Sequence, residues 1–158
     1  MSLAAVNMPK YATVLNNGVC QLGTGASTVG ATALGIDGIA ADAKVCYTAG
    51  AYGGMVESLL LSTTDTTAVN VFVYGLDGAT VHPFGIVAVP INSGNLATAS
   101  NVDTLAGAGY TIIGLPINAS GKRYIPLKAN MTLKVSVLAA MTVNKILIAT
   151  ATGVDYVA

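Results

Sequence analysis

Between Thr48 and Tyr74 two apolar segments of strand length flank six polar residues, Ser62 to Thr67. Both segments are rich in β-branched and aromatic residues, which fit a pleated, half-buried surface better than a helix. The pattern predicts two strands, Met55–Leu61 and Ala68–Tyr74, joined as a hairpin through the Ser62–Thr67 loop. Their alternation is imperfect. Met55, Glu57, Leu59 and Leu61 share one face and Val56, Ser58 and Leu60 the other, while Val69, Val71 and Val73 oppose Asn70, Phe72 and Tyr74. A sheet with one solvated face alternates apolar with polar positions. Two half-apolar faces therefore predict that the second face is covered as well, by another sheet edge or another subunit. Phe72, Tyr74 and, further on, Phe84 are the residues expected at such an oligomer or capsid contact, with ordinary core aromatics as the plainer alternative.

The rest of the chain extends the β pattern. Ala43–Ala49 predicts a strand before the hairpin, and Leu76-Asp77-Gly78 a turn after it. Thr80–Ile91 reads as an extended segment interrupted by Pro83 and Pro90. Proline has no N–H to give a ladder, which places this segment at a sheet edge or a bend. Residues 92–109 form the longest connection, with one helical turn expected near Val102–Ala106, and such an excursion suits a Greek-key crossing. Tyr110–Ile117, Tyr124–Leu127, Thr132–Leu138 and Val143–Ala149 follow as strands, the last two joined by a hairpin loop at Ala139–Thr142. The expected fold is all-β, an antiparallel two-sheet sandwich or jelly roll of about eight strands.

The first 42 residues differ from this. Ala, Gly, Thr, Ser and Asn dominate them, Asn17-Gly18 and Asp37-Gly38 are turn dipeptides, and no 3.6-residue period is sustained. Residues 1–42 are expected to form an extended N-terminal arm or a partial β segment, and residues 43–158 the β-sandwich domain. The scattered apolar residues Val14, Leu15, Val19, Leu22, Val29, Leu34, Ile36 and Ile39 are too many for a pure linker and favour partial β-structure.

Composition narrows the partners. Charged residues make up 9% of the chain, against about 25% in an average soluble protein. Such a surface is poorly solvated in a lone monomer and suits a subunit that hides area in an assembly. The richest apolar runs fall far short of the roughly 18 residues a membrane helix needs, so no membrane partner is expected. The N-terminal residues lack the basic and apolar regions of a signal peptide. Formal net charge is zero and the seven basic residues are dispersed, which leaves no cluster to release phosphate counterions, so no nucleic-acid partner is expected.

Catalytic and metal chemistry find little purchase. His82 is the single histidine, so neither a metal site nor a Ser-His-Asp triad assembles around it from sequence alone. Gly23–Gly30 resembles a phosphate loop only superficially, because Thr28 stands where a dinucleotide fingerprint needs glycine and no βαβ unit follows. Asp37 and Asp42 could contribute oxygens to calcium, but two carboxylates beside Gly38 read more simply as a turn. Cys20 and Cys46 define no metal site and read as two reduced thiols acting as small hydrophobes. The Asn118-Ala-Ser120 and Asn130-Met-Thr132 sequons matter only in a eukaryotic secretory setting. No catalysis and no cofactor are expected.

The order of these elements resembles a known family. Thr48-Ala-Gly-Ala-Tyr-Gly-Gly-Met-Val-Glu57, the Thr-rich loop, Val69–Tyr74 followed by Asp77-Gly78, Ile125-Pro126-Leu127 with its alternating strand, and Ala149–Tyr156 with Gly153 and Asp155-Tyr156 resemble tailed-bacteriophage head decoration, or cement, proteins. The likeness covers roughly residues 43 to 156. It implies a β-sandwich subunit, a homotrimer, whose partner is the major capsid protein and whose place is the outer capsid surface of the virion, after assembly in the host cytoplasm. The chain departs from the pattern by lacking a cation in Val69–Tyr74 and by carrying prolines in 83–90. A receptor- or glycan-binding module of a phage fibre or adhesin is the alternative. Absence of Trp weighs against it, and seven tyrosines keep it open.

Overall fold

A computed structural model describes residues 12–23, 43–95, 99–106, 112, 114–139 and 141–157. Nine strands form among them: β1 (Ala12–Leu22), β2 (Lys44–Thr48), β3 (Gly54–Thr63), β4 (Val69–Asp77), β5 (Thr80–Val89), β6 (Val102–Asp103), β7 (Ile125–Leu127), β8 (Thr132–Val137) and β9 (Leu147–Tyr156). They make two antiparallel sheets packed as a sandwich. One has the order β1-β9-β3-β6, with β7 also paired to β3, and the other has the order β2-β8-β4-β5. Among the described residues no helix is long and apolar enough to cross a membrane.

The core fills from both inner faces. Val56, Leu59 and Leu61 of β3 and Leu147, Ala149 and Ala151 of β9 meet Val71 and Val73 of β4, Val87 and Val89 of β5, and Leu133, Val135 and Val137 of β8, all buried. Small alanines on β9 face large side chains elsewhere, which lets the layers interdigitate at interior density. A register break between Val56 and Ser58 explains how β3 achieves this. The bulge inserts Glu57 as the unpaired residue and leaves it exposed, so that Val56 joins Leu59 and Leu61 on the inner face. The strict alternation expected for Met55–Leu61 put Val56 on the opposite face, and the bulge accounts for the difference.

The two central connections also differ from expectation. Ser62–Thr67 does not close a hairpin, because β3 and β4 lie in different sheets, and Ala139–Thr142 likewise leads from β8 in one sheet to β9 in the other. Both are arches over the same end of the sandwich. Val143–Lys145 lies in the second arch, so the final strand begins at Leu147 rather than Val143. The true hairpin is β4–β5, in which Asp77 pairs with Thr80 around Gly78, whose φ of 59° suits the turn expected there. β5 occupies the edge that suits its proline, Pro83, and the register breaks beside it. Near Val102 the chain makes a two-residue strand followed by a turn, in which the Asp103 carboxylate accepts the Leu105 and Ala106 N–H groups at 2.9 and 3.1 Å. The strand expected over Tyr110–Ile117 does not form among its described residues: Ile112 and 114–116 are irregular, Ile112 is buried, and Ile117 makes an isolated bridge to Arg123, while residues 110, 111 and 113 lie outside the described set.

Within residues 1–42, Ala12–Leu22 runs as a strand paired along its length with β9. Asn17-Gly18 is therefore mid-strand and not a turn. Gly18 is there for proximity: a Cβ on it would fall 1.8 Å from the Cys46 carbonyl oxygen. Asp37, Asp42 and all of Gly23–Gly30 except Gly23 lie outside the described residues.

Candidate assembly surface

In an antiparallel pair, register partners point to the same face, so the ladders show what each sheet presents outward. On the four-stranded sheet, Phe72 stands between Ser136 of β8 and Ile86 of β5, and Tyr74 between Lys134 of β8 and Pro83 of β5. Val45 of β2 extends the second row beyond Lys134. Ile86 is 61% exposed and Val45 45% exposed. This face thus carries exposed aliphatic side chains on its edge strands, Ile86 and Val45, with Ser136 and Tyr74 buried between them.

The three aromatic residues expected at a contact take different places. Phe72 is half-buried on this outer face and stacks on Tyr74 with ring centroids 5.1 Å apart at an interplanar angle of 23°. Tyr74 shares the face but is fully buried, and its hydroxyl has no hydrogen-bond partner among the described residues. Burial pushes its phenol pKa up, which keeps the group neutral. Phe84 sits at the β5 register break and packs against the core, close to Gly75.

The five-stranded sheet presents a second apolar surface that aromatic residues alone did not mark. Its outer rows alternate: Leu15–Val154–Met55, Asn17–Thr152–Ser58, Val19–Thr150–Leu60 and Gln21–Ile148–Ser62, read from β1 through β9 to β3. Leu15 is 68% exposed and Val19 65% exposed. The signal was present in the alternation Leu15-x-Asn17-x-Val19-x-Gln21, masked by the Asn-Gly dipeptide within it.

Polar clusters are spent on structure. Asp155 accepts hydrogen bonds from the Asn16 side-chain amide at 2.8 Å and the Tyr47 hydroxyl at 2.9 Å, and Asn16 also donates to the Thr48 carbonyl at 3.2 Å, which ties β1, β2 and β9 together. Burial and the neighbouring carboxylate push the Tyr47 phenol well above its ordinary range, so it serves as a fixed donor rather than a proton shuttle. Gly50 and Gly54 leave room for that carboxylate, since a Cβ on either would come within 3.3 and 2.8 Å of it. His82 lies on β5 in the opposite sheet, in register with Gly75, and its Nε2 is buried without a partner among the described residues. Among the described residues no three His, Cys, Asp or Glu side chains converge as metal ligands. A depression of about 190 Å³ beside Ser62, Thr64, Gly94, Asn95 and Ile148 is smaller than the roughly 300–1,000 Å³ typical of ligand pockets.

At the arch end, Asp65 is fully buried. Its carboxylate accepts the Thr67 N–H and hydroxyl, both at 3.0 Å, and the Thr142 N–H and hydroxyl at 2.9 and 2.6 Å. Burial pushes this carboxyl up, but the four donors outweigh it and hold the pKa at about 2. The Ser62–Thr67 loop, expected to close a hairpin, is thus a clamp between the two arches. Compared with known proteins, the chain matches no family model, no curated protein and no solved structure.

Proposed function

We propose that the protein is a structural subunit that decorates the outer surface of a bacteriophage capsid, assembling with itself as a trimer and binding the major capsid protein at junctions between its copies. One observation carries most of this reading: both sheets present apolar side chains outward, Leu15 and Val19 on one and Ile86 and Val45 on the other, each 45–68% exposed. Few charges interrupt them. Burying such rows contributes about 25 cal/mol for each Å² of apolar surface removed from water, and many copies on one shell act together. The order of motifs from Thr48 to Tyr156, which resembles head decoration proteins, supplies the identity of the shell.

Electron microscopy of mature and immature shells mixed with the purified protein tests the reading. Regular density on the outer surface at subunit junctions is expected, and a shell that retains none in either state defeats it. Ile86→Glu and Leu15→Glu place a charge on each outer face without touching the core. At least one is expected to weaken shell retention or self-association by tenfold or more, read by co-sedimentation and light scattering, with the melting temperature little changed. Binding to glycans by a protein that no shell retains would favour a receptor-binding module instead.

A further inference from the structure

β1 and β2 belong to different sheets and share no ladder, yet they lie edge against edge. The approach is closest at Gly18, where any side chain would strike the Cys46 carbonyl. Cys20 follows two residues later on the same face of β1, in register with Ala149. Cys46 reaches across to that pair from the bulge in β2, its Sγ 3.4 Å from the Ala149 carbonyl oxygen. The chain contains only these two cysteines, both are buried, and both lie against Ala149.

We propose that Cys20 and Cys46 form an oxidisable pair that closes into a disulfide joining the two sheets along their shared edge. The oxidant is a small disulfide of the oxidised-glutathione class. The Cys20 thiolate attacks one sulfur of that disulfide, forming a mixed disulfide and expelling one thiolate. Cys46 then gives up its proton and attacks the Cys20 sulfur, which expels the second thiolate. Two cysteines are oxidised by two electrons in all, one disulfide is reduced to two thiols, and those thiols carry away both protons.

The order of events follows from how the two thiols differ. The neighbouring Cys46 side chain lowers the pKa of Cys20 against the opposing effect of burial, and nearby Lys44 adds to the lowering. The neighbouring Cys20, and then burial, raises that of Cys46. Cys20 is thus the thiol that ionises first and attacks, and Cys46 the one that resolves. Position agrees with this, since both lie on edge strands and Cys20 is 8% exposed where Cys46 is 2% exposed. Closing the bond draws the sulfurs to about 2.05 Å, a shift that the edge strand β1 can supply.

The full chain, reduced and then incubated folded with oxidised glutathione, tests the proposal by alkylation and intact-mass measurement. Free thiols are expected to fall from two to none per chain, with a mass loss of two hydrogens and no cross-linked dimer. The thermal midpoint is expected to rise by roughly 5–10 °C and to return on addition of dithiothreitol. Cys46→Ala is expected to stop at a stable glutathione adduct on Cys20, with no such rise. Thiols that stay alkylatable, a wild-type chain that stops at the glutathione adduct, bonds between chains, or closure only in denaturant would each overturn the proposal. The outcome does not depend on whether the protein binds a shell.

Discussion

Asp65→Ala is expected to destabilise the fold by about 2–3 kcal/mol, because it removes a buried carboxylate held by four donors. The carboxylate sits among four donors from Thr67 and Thr142. Removing it takes the shared acceptor from two backbone N–H groups and two hydroxyls of Thr67 and Thr142, at the point where both arches cross between sheets. Asparagine keeps the size but offers one carbonyl oxygen in place of two charged ones, so Asp65→Asn should recover only part of the loss. Urea unfolding of the two variants beside the parent chain measures both effects.

The same group makes stability depend on pH, with a definite sign. Its folded pKa is about 2, below the ordinary 3.8. A depressed carboxylate contributes stability that is fully present above its unfolded pKa and is lost as pH falls through the folded value. The contribution is about 2 kcal/mol, it begins to fade near pH 4, and it is gone below about pH 2. Unfolding measured from pH 7 to pH 2 should show a steeper acid loss in the parent chain than in Asp65→Asn. Equal slopes would mean that Asp65 is not the group responsible.

Gly153→Ala is expected to cost at least about 3 kcal/mol, or to prevent folding, for a different reason. Gly153 lies on the inner face of β9, in register with Asn16 on one side and Val56 on the other. A Cβ there would come 2.2 Å from the Met55 carbonyl oxygen and 2.9 Å from the Val56 Cα. Both are backbone atoms of the neighbouring strand, so no rotamer change relieves the clash. Relief requires β3 and β9 to separate beside the Glu57 bulge. Circular dichroism and thermal melting of the variant check this, and a midpoint within a few degrees of the parent would count against it.

Much of the fold was legible in the alternation of residues, because strand length, turn chemistry and proline placement are local properties. The β4–β5 turn at Gly78 and the edge position of β5 follow from Asp77-Gly78 and Pro83 alone. Sheet membership was not legible. Six polar residues after Leu61 serve a hairpin and an arch equally well, and the choice rests on Thr142, which lies 77 residues beyond Asp65. The acid in a Thr-rich loop looks like a solvent-exposed group until its donors are in place. Glu57 similarly conceals a bulge, since a single inserted residue exchanges the two faces downstream of it.

For the candidate surface, the excess of apolar residues on both faces of β4 was visible, and the aromatic residues drew attention to it. The matching rows on β1 were harder to see, because glycine at position 18 reads as a turn signal in isolation. Its actual cause is the Cys46 backbone, which comes within reach only once the two sheets have packed. Contacts that a residue makes across the sandwich leave no mark in its own neighbourhood of the sequence.

The central position of β9 sets when the protein can fold. β1 and β3 both pair with it, so the five-stranded sheet cannot close until the chain has emerged from the ribosome through Tyr156. Until then β1 waits with Cys20 and Leu22, both buried in the finished fold, unprotected, and its first partner lies more than a hundred residues away. Such non-local pairing places folding in the millisecond-to-second range and leaves a window for association between nascent chains. A protein whose strands wait this long benefits from few charges only if its neighbours in the cell are the right ones.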